Sequence, residues 1–211
     1  MLAQFRKPDD PASPAAGVPA RAAGLCVVGP GHPSRAAVEA FVQDIYRERF
    51  GAEVRQFAPR LVALLDQAGE IVAAAGYRSA GSGPLFLERY LAAPVEALLG
   101  AGLPASPARD RIVEVGHLAA SCAGAGRRLI LLLGPHLAGL GFQWVVSTLT
   151  EELRHLFVRL GIAPLALGVA DPAVLGAEAG QWGRYYEHRP VVLAGQLDAA
   201  LRTLAQRRAL S

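Results

Sequence analysis

The sequence has almost no cysteine: Cys26 and Cys122 are the only two in 211 residues. Two thiols cannot build a disulfide framework, and neither sits in a Cys-x-x-Cys or Cys/His pattern that would hold zinc. No metal site is expected, and a reducing, cytoplasmic setting fits best. Charge is also scarce, at 18 % of residues and a net +3. The basic residues fall in pairs, Arg127 with Arg128 and Arg207 with Arg208, rather than in a stripe. A broad footprint for sequence-independent nucleic-acid binding is therefore missing, and nucleic acid is not an expected partner. Long apolar runs are missing as well. The longest, LILLLGPHLAGLGF, holds Pro135 and His136 and directly follows two arginines, so no transmembrane segment is expected. The N-terminal residues lack the apolar stretch of a secretory signal.

What the chain does have is apolar mass, 52 % of residues, enough for a sizeable core. Residues 1–23 are rich in Pro and Ala and read as a disordered tail; residues 24–211 read as one domain. Leu25 to Val28 suits a first strand. Val38, Phe41, Val42, Ile45 and Tyr46 recur at helical spacing after Ser34 and run to Gly51. Leu61 to Leu65 and Ile71 to Tyr77 flank the turn Asp66-Gln67-Ala68-Gly69 and predict a hairpin. An amphipathic segment follows over 85–91, and Pro94 opens a short helix. A strand over 111–119, a glycine turn, a helix to about Leu140 and a strand over 142–148 come next. Thr148 and Glu151 are spaced as a capping box for a helix that stops at Gly161. Extended chain over 162–169, the aromatic run Trp182-Gly183-Arg184-Tyr185-Tyr186, a strand at 191–193 and a basic C-terminal helix complete the reading. A hairpin ahead of alternating strands and helices predicts an α/β (α+β) fold, a mixed central sheet with helices on both faces.

The stretch RIVEVGHLAASCAGAGRRLI, residues 111–130, carries the chemistry. A strand enters a glycine turn that opens a helix. Such a turn presents backbone N–H groups and the positive end of the helix dipole, which together bind phosphate. Gly124, Ala125, Gly126, Arg127 and Arg128 are the candidate phosphate-binding residues; the competing reading is a helix start with small residues for tight packing. Gly116 lies inside the strand, where glycine marks either a bulge or a close approach. A bulge would free an N–H to polarise a carbonyl. Glu114 sits among Ile112, Val113 and Val115, either as a half-buried general base with a raised pKa or as a surface or Arg-paired carboxylate. His117 is a second candidate base, with a structural histidine as its other reading. By strict alternation it faces away from Glu114 unless a bulge re-aims one of them.

Two nested resemblances follow. Ser121-Cys122-Ala123-Gly124-Ala125-Gly126 resembles the phosphate-binding motif of the GNAT N-acyltransferases, with Ser121 where Gln or Arg is usual. Leu153 to Ile162 resembles the GNAT helix that carries a Tyr proton donor, but here that position is Phe157. More specifically, Ile45-Tyr46 with Phe50-Gly51-Ala52, Ala74-Ala75-Gly76-Tyr77-Arg78, Ile112 to Ala119, Phe157-Val-Arg-Leu-Gly161 and Trp182 to Tyr186 resemble the thermostable haemolysin family over about residues 34–197. That family pattern carries Asn where His117 stands. The resemblance extends to acyl-homoserine-lactone and N-acyl amino acid synthases.

It implies a GNAT-like domain that moves an acyl group from acyl-CoA, or from the phosphopantetheine of acyl-carrier protein, to a small-molecule amine or amino acid. No permanently bound cofactor is implied; the thioester is a cosubstrate. Its pantetheine would lie along Val115, Gly116, Leu118 and Ala119, with Glu114 or His117 as base and Tyr185 or Tyr186 in place of the missing acid. The Trp182–Tyr186 run reads as core, acceptor site or homodimer contact. Two other readings stand beside this one: a membrane-active haemolysin, and a GNAT-like protein that binds a thioester without turnover.

Overall fold

The structure is a computed structural model that describes residues 24–102, 104–122 and 124–209; the tail expected over 1–23 lies outside the described residues. Among the described residues seven strands form one sheet: β1 (Leu25–Val28), β2 (Arg60–Leu65), β3 (Ile71–Ser79), β4 (Ile112–Ala120), β5 (Trp144–Leu149), β6 (Leu165–Val169) and β7 (Val191–Gln196). Their order is β1-β2-β3-β4-β5-β7-β6, with β4 and β5 parallel and every other neighbouring pair antiparallel. The expected mixed sheet is present. The helices that accompany it are α1 (Arg35–Phe50), α2 (Val95–Gly100), α3 (Ala125–Gly139), α4 (Glu151–Leu160) and α5 (Leu197–Ala209).

The hairpin between β2 and β3 follows from Asp66, whose carboxylate accepts the amides of Ala68 and Glu70, both at 2.9 Å. Helix α1 buries Val38, Val42, Tyr46 and Phe50, an i, i+4 stripe, against Leu61, Ala63 and Ala74 on one sheet face. Helix α3 buries Leu129, Leu133 and Leu137 against Val62, Ala73, Val113 and Val115 on the other. Removing any one of these leucines to Ala would cost about 2–5 kcal/mol. A third cluster joins Leu87, Val95 and Leu99 to Ile112, Val146 and Val192 at the β5–β7 end.

The expected capping box at Thr148 is corrected. Strand β5 continues to Leu149 and Thr150 is the N-cap of α4, without a side-chain hydrogen bond. Cross-strand pairing with β7, through Thr148↔Val192 and Leu149↔Val191, holds those residues extended. The amphipathic segment at 85–91 is a 3₁₀ turn (Phe86–Tyr90), and the aromatic run lies at the junction of two more (Pro172–Trp182 and Tyr185–His188).

Candidate active site

Two irregularities in β4 make the site. The first is its separation from β5. Pairing runs from Ile112↔Trp144 to Glu114↔Val146 and stops, although both strands continue. At the point of parting, the Ser147 hydroxyl donates to the Val115 carbonyl at 2.8 Å, where a ladder bond would otherwise fall.

The second is a β-bulge. Gly116 pairs with Gly76 and Ala119 with Ala74, so His117 and Leu118 together oppose Ala75. His117, not Gly116, takes the left-handed conformation, at φ 52°. The extra residue inverts the alternation: Val113 and Val115 face the α3 core before it, Leu118 and Ala120 after it. The result is that Glu114 and His117, which strict alternation sets on opposite faces, line one cleft.

That cleft has a volume of about 610 Å³. It runs down β4 from Glu114 through Gly116, His117, Leu118, Ala119 and Ala120 to Gly126 in the first turn of α3. Gly124 precedes the helix at φ 89°, a conformation that favours glycine, and is exposed. Arg127 and Arg128 are exposed and do not line the cleft, and Ala125 is buried under the helix. The far wall is aromatic: Phe57, Phe86, Tyr90, Trp182, Tyr185 and Tyr186. A smaller, almost wholly apolar cavity of about 100 Å³ lies behind Leu118 and Ile130, lined also by Val115, Leu133, Phe157 and Leu193.

Glu114 accepts the Phe86 and Leu87 amides, each at 2.9 Å, one on each carboxylate oxygen. Burial nevertheless holds its pKa above the ordinary carboxylate range. His117 Nε2 lies 3.0 Å from the Gln56 carbonyl, which can only accept, so Nε2 carries the proton. The lone pair is then on Nδ1, which is buried, has no partner and rests where a Cβ on Gly76 would approach to 2.8 Å. Burial pushes the His117 pKa down to about 4. Tyr185 donates its hydroxyl proton to the Thr148 carbonyl at 3.2 Å, and burial raises its pKa well above the usual phenol value. Tyr90 and Tyr186 share a 2.6 Å hydrogen bond beside it.

The profile of the family described as thermostable hemolysin matches residues 28–201. The chain belongs to the thermostable hemolysin family. No curated protein matches it significantly. Among solved structures, TofI in an apo form is similar with a TM-score of 0.59 at 18 % identity, over 86 % of this chain and 95 % of that one. BjaI, a CoA-dependent acyl-homoserine lactone synthase solved with SAM and isopentyl-CoA, has a TM-score of 0.59 at 14 % identity, over 87 % and 88 % of the two chains. FeeM, an N-acyl amino acid synthase from uncultured soil microbes, has a TM-score of 0.55 at 12 % identity, over 82 % and 91 %. At these identities the likeness establishes the shared GNAT-like fold. Among the described residues of this thermostable hemolysin family member, no helix is long and apolar enough to cross a membrane.

Several residues of the cleft were not among the site residues expected from the sequence, although Phe57 and Arg78 belong to segments that resemble the family. Phe57 stacks near His117, with ring centroids 5.4 Å apart, and Gln56 orients the ring. Both come from the segment before β2, which has no periodic pattern. Arg78 lines the cleft opposite Glu114. Its signal was a single charge near the end of an otherwise apolar strand, and alone that reads as an ordinary strand terminus.

Proposed function

We propose that this protein is an acyltransferase that moves an acyl group from acyl-CoA or acyl-carrier protein to the amine of a small molecule or amino acid. The observation that carries this reading is the single cleft joining the parted, bulged stretch of β4 to the start of α3. A pantetheine arm pairs naturally with strand edges that have lost their neighbour, and a diphosphate with amides at a helix start. The thioester would lie along Gly116 to Ala119 with its phosphates near Gly124 to Arg128, and the smaller apolar cavity would take the acyl tail.

In this reading the amine nitrogen attacks the thioester carbonyl carbon. The new C–N bond forms as the C–S bond breaks, and Glu114, directly or through water, receives the amine proton. Its raised pKa suits that task. Backbone N–H groups at the bulge hold the carbonyl oxygen as it becomes negative. A thiol leaves far more readily than an alcohol, its ordinary pKa being about 8.5, so the thiolate can take its proton from water. Tyr185, whose proton is committed to Thr148, then serves as wall. His117 fixes the bulge, and its neutral ring keeps a positive charge away from an attacking amine.

Incubating the purified protein with acyl-CoA, or with acylated carrier protein, and pooled amines tests this by mass spectrometry. N-acyl products with stoichiometric thiol release are expected. Thioester bound but never consumed would replace the reading with a binding role. Lysis of red cells by the protein without any acyl donor would replace it with a direct membrane activity.

A further inference from the structure

The charges on the cleft wall narrow the acceptor. Three arginines there are matched by carboxylates: Arg49 by Glu152 at 2.5 Å, Arg55 by Glu53 at 2.8 Å and Arg89 by Glu178 at 2.6 Å. Arg78 is not. It is half-buried and lines the cleft, and its guanidinium has no hydrogen bond or ion pair among the described residues. Among those residues His117 Nδ1 is the sole buried side-chain nitrogen or oxygen without a partner, so the unpartnered nitrogens of Arg78 are reached by solvent, on a residue that lines the cleft. Directly across the ladder from Arg78 stands Glu114, which does not form an ion pair with it because both carboxylate oxygens face the Phe86 and Leu87 amides.

A guanidinium stays charged even when partly desolvated, and its planar fork of donors matches a carboxylate. Cross-strand neighbours have Cβ atoms about 5 Å apart. The cleft therefore offers a guanidinium and a carboxyl group side by side; each Glu114 oxygen accepts one amide and keeps a second lone pair for a ligand. An α-amino acid carries the complementary pair, a carboxylate and an amine on the same carbon. We infer that the acceptor is an α-amino acid, its carboxylate seated on Arg78 and its amine turned to Glu114. This rests on the acyltransfer reading and supplies the acceptor class that reading leaves open.

Arg78 is not placed for the donor's phosphates. Those belong at the start of α3, six residues beyond Glu114 along β4 at Ala120 and further, and at about 3.3 Å per residue the two ends are roughly 20 Å apart. An amine without a carboxylate would fill the same space and leave Arg78 desolvated and unmatched, which disfavours it.

The test pairs amino acids with the amines left when the carboxylate is removed, such as phenylalanine with phenethylamine and leucine with isoamylamine, using decanoyl-CoA as donor. The wild-type protein is expected to prefer the amino acids by roughly 10- to 100-fold in kcat/KM, the range of one charged hydrogen-bonded contact. R78Q should bring that preference down to near parity, mainly through KM, and R78K should restore part of it. Equal use of amines and amino acids by the wild-type protein, or a preference that survives R78Q, overturns the subsite while leaving acyl transfer intact.

If no product forms with any acceptor, the acyltransfer reading fails separately. The subsite is then read by binding, following tryptophan fluorescence, with Trp182 in the cleft wall and Trp144 outside it. N-decanoyl-phenylalanine binding at least about tenfold more tightly than its methyl ester, with the difference lost in R78Q, supports it. Equal binding of acid and ester overturns it. Circular dichroism of both variants separates a lost subsite from a lost fold.

Discussion

Replacing His117 by Asn tests the bulge through pH rather than through activity. In the folded protein burial holds the ring's pKa at about 4, against 6.5 ordinarily. The unfolded chain therefore takes up the proton first as pH falls. The neutral ring's contribution is complete above about pH 6.5 and is lost progressively as pH drops toward 4. Its size is about 3 kcal/mol, at 1.36 kcal/mol for each tenfold change in proton affinity. In a chain of this size that is about 6–12 °C in Tm.

The groups acting on the ring are the Gln56 carbonyl, Arg78, Arg35 and Glu39, and all remain in the variant. Asn accepts the left-handed backbone that position 117 adopts. It does lose the ring's contact with Phe57, but that loss is the same at every pH. The Arg109 guanidinium holds Glu88 at about 2, so its contribution begins to be lost only at the bottom of this window, near the ordinary carboxylate value, and by the same amount in both proteins. Glu114 titrates within or above it, with the opposite sign, and identically in both proteins. Urea unfolding at several pH values between about 4 and 7 should therefore show the wild-type line falling more steeply than the H117N line, by about 3 kcal/mol in total. Parallel lines would mean that the ring is solvated and titrates ordinarily, and the account of a buried, neutral His117 would be wrong.

Glu114→Gln should lower the acylation rate by about 100-fold or more, the usual size of a positioned base. A rate within threefold of wild type would remove Glu114 from that role. Gly124→Val places a branched side chain at φ 89° and should raise KM for the acyl thioester more than it lowers kcat, as measured with a saturating amine; unchanged KM would move the phosphates elsewhere. Arg109 joins Glu88, Glu96 and the carbonyls of Ala80 and Gly83, all partly buried. Arg109→Met leaves two carboxylates without their cation and should cost roughly 2–3 kcal/mol in urea unfolding, less than a fully buried pair because water reaches the site. A cost under about 0.5 kcal/mol would reduce the network to a surface cluster.

Local chemistry was enough to place most elements. The helical spacing from Val38 to Tyr46 and the Asp66 turn each encode their structure within a dozen residues, and each appears where the pattern put it. The glycine turn before α3 and the strand leading into it were legible for the same reason. Position 148 failed because the spacing of Thr148 and Glu151 is local, while the strand that overrides it is held by Val192, more than forty residues away.

The site depended on information that no local pattern contains. Whether Glu114 and His117 share a face turns on one extra residue in β4, and that is decided by its register against Gly76 and Ala74. Whether β4 opens a groove turns on where β5 leaves it, which Ser147 marks by bonding Val115. Whether Arg78 stands unmatched among the described residues turns on which carboxylates arrive from 3₁₀ turns and helices elsewhere in the chain. The sequence by itself determined the elements, because periodicity and turn chemistry act between near neighbours. Only the tertiary structure decided the cleft, because register, strand parting and charge matching are relations between segments that become neighbours only when the chain folds.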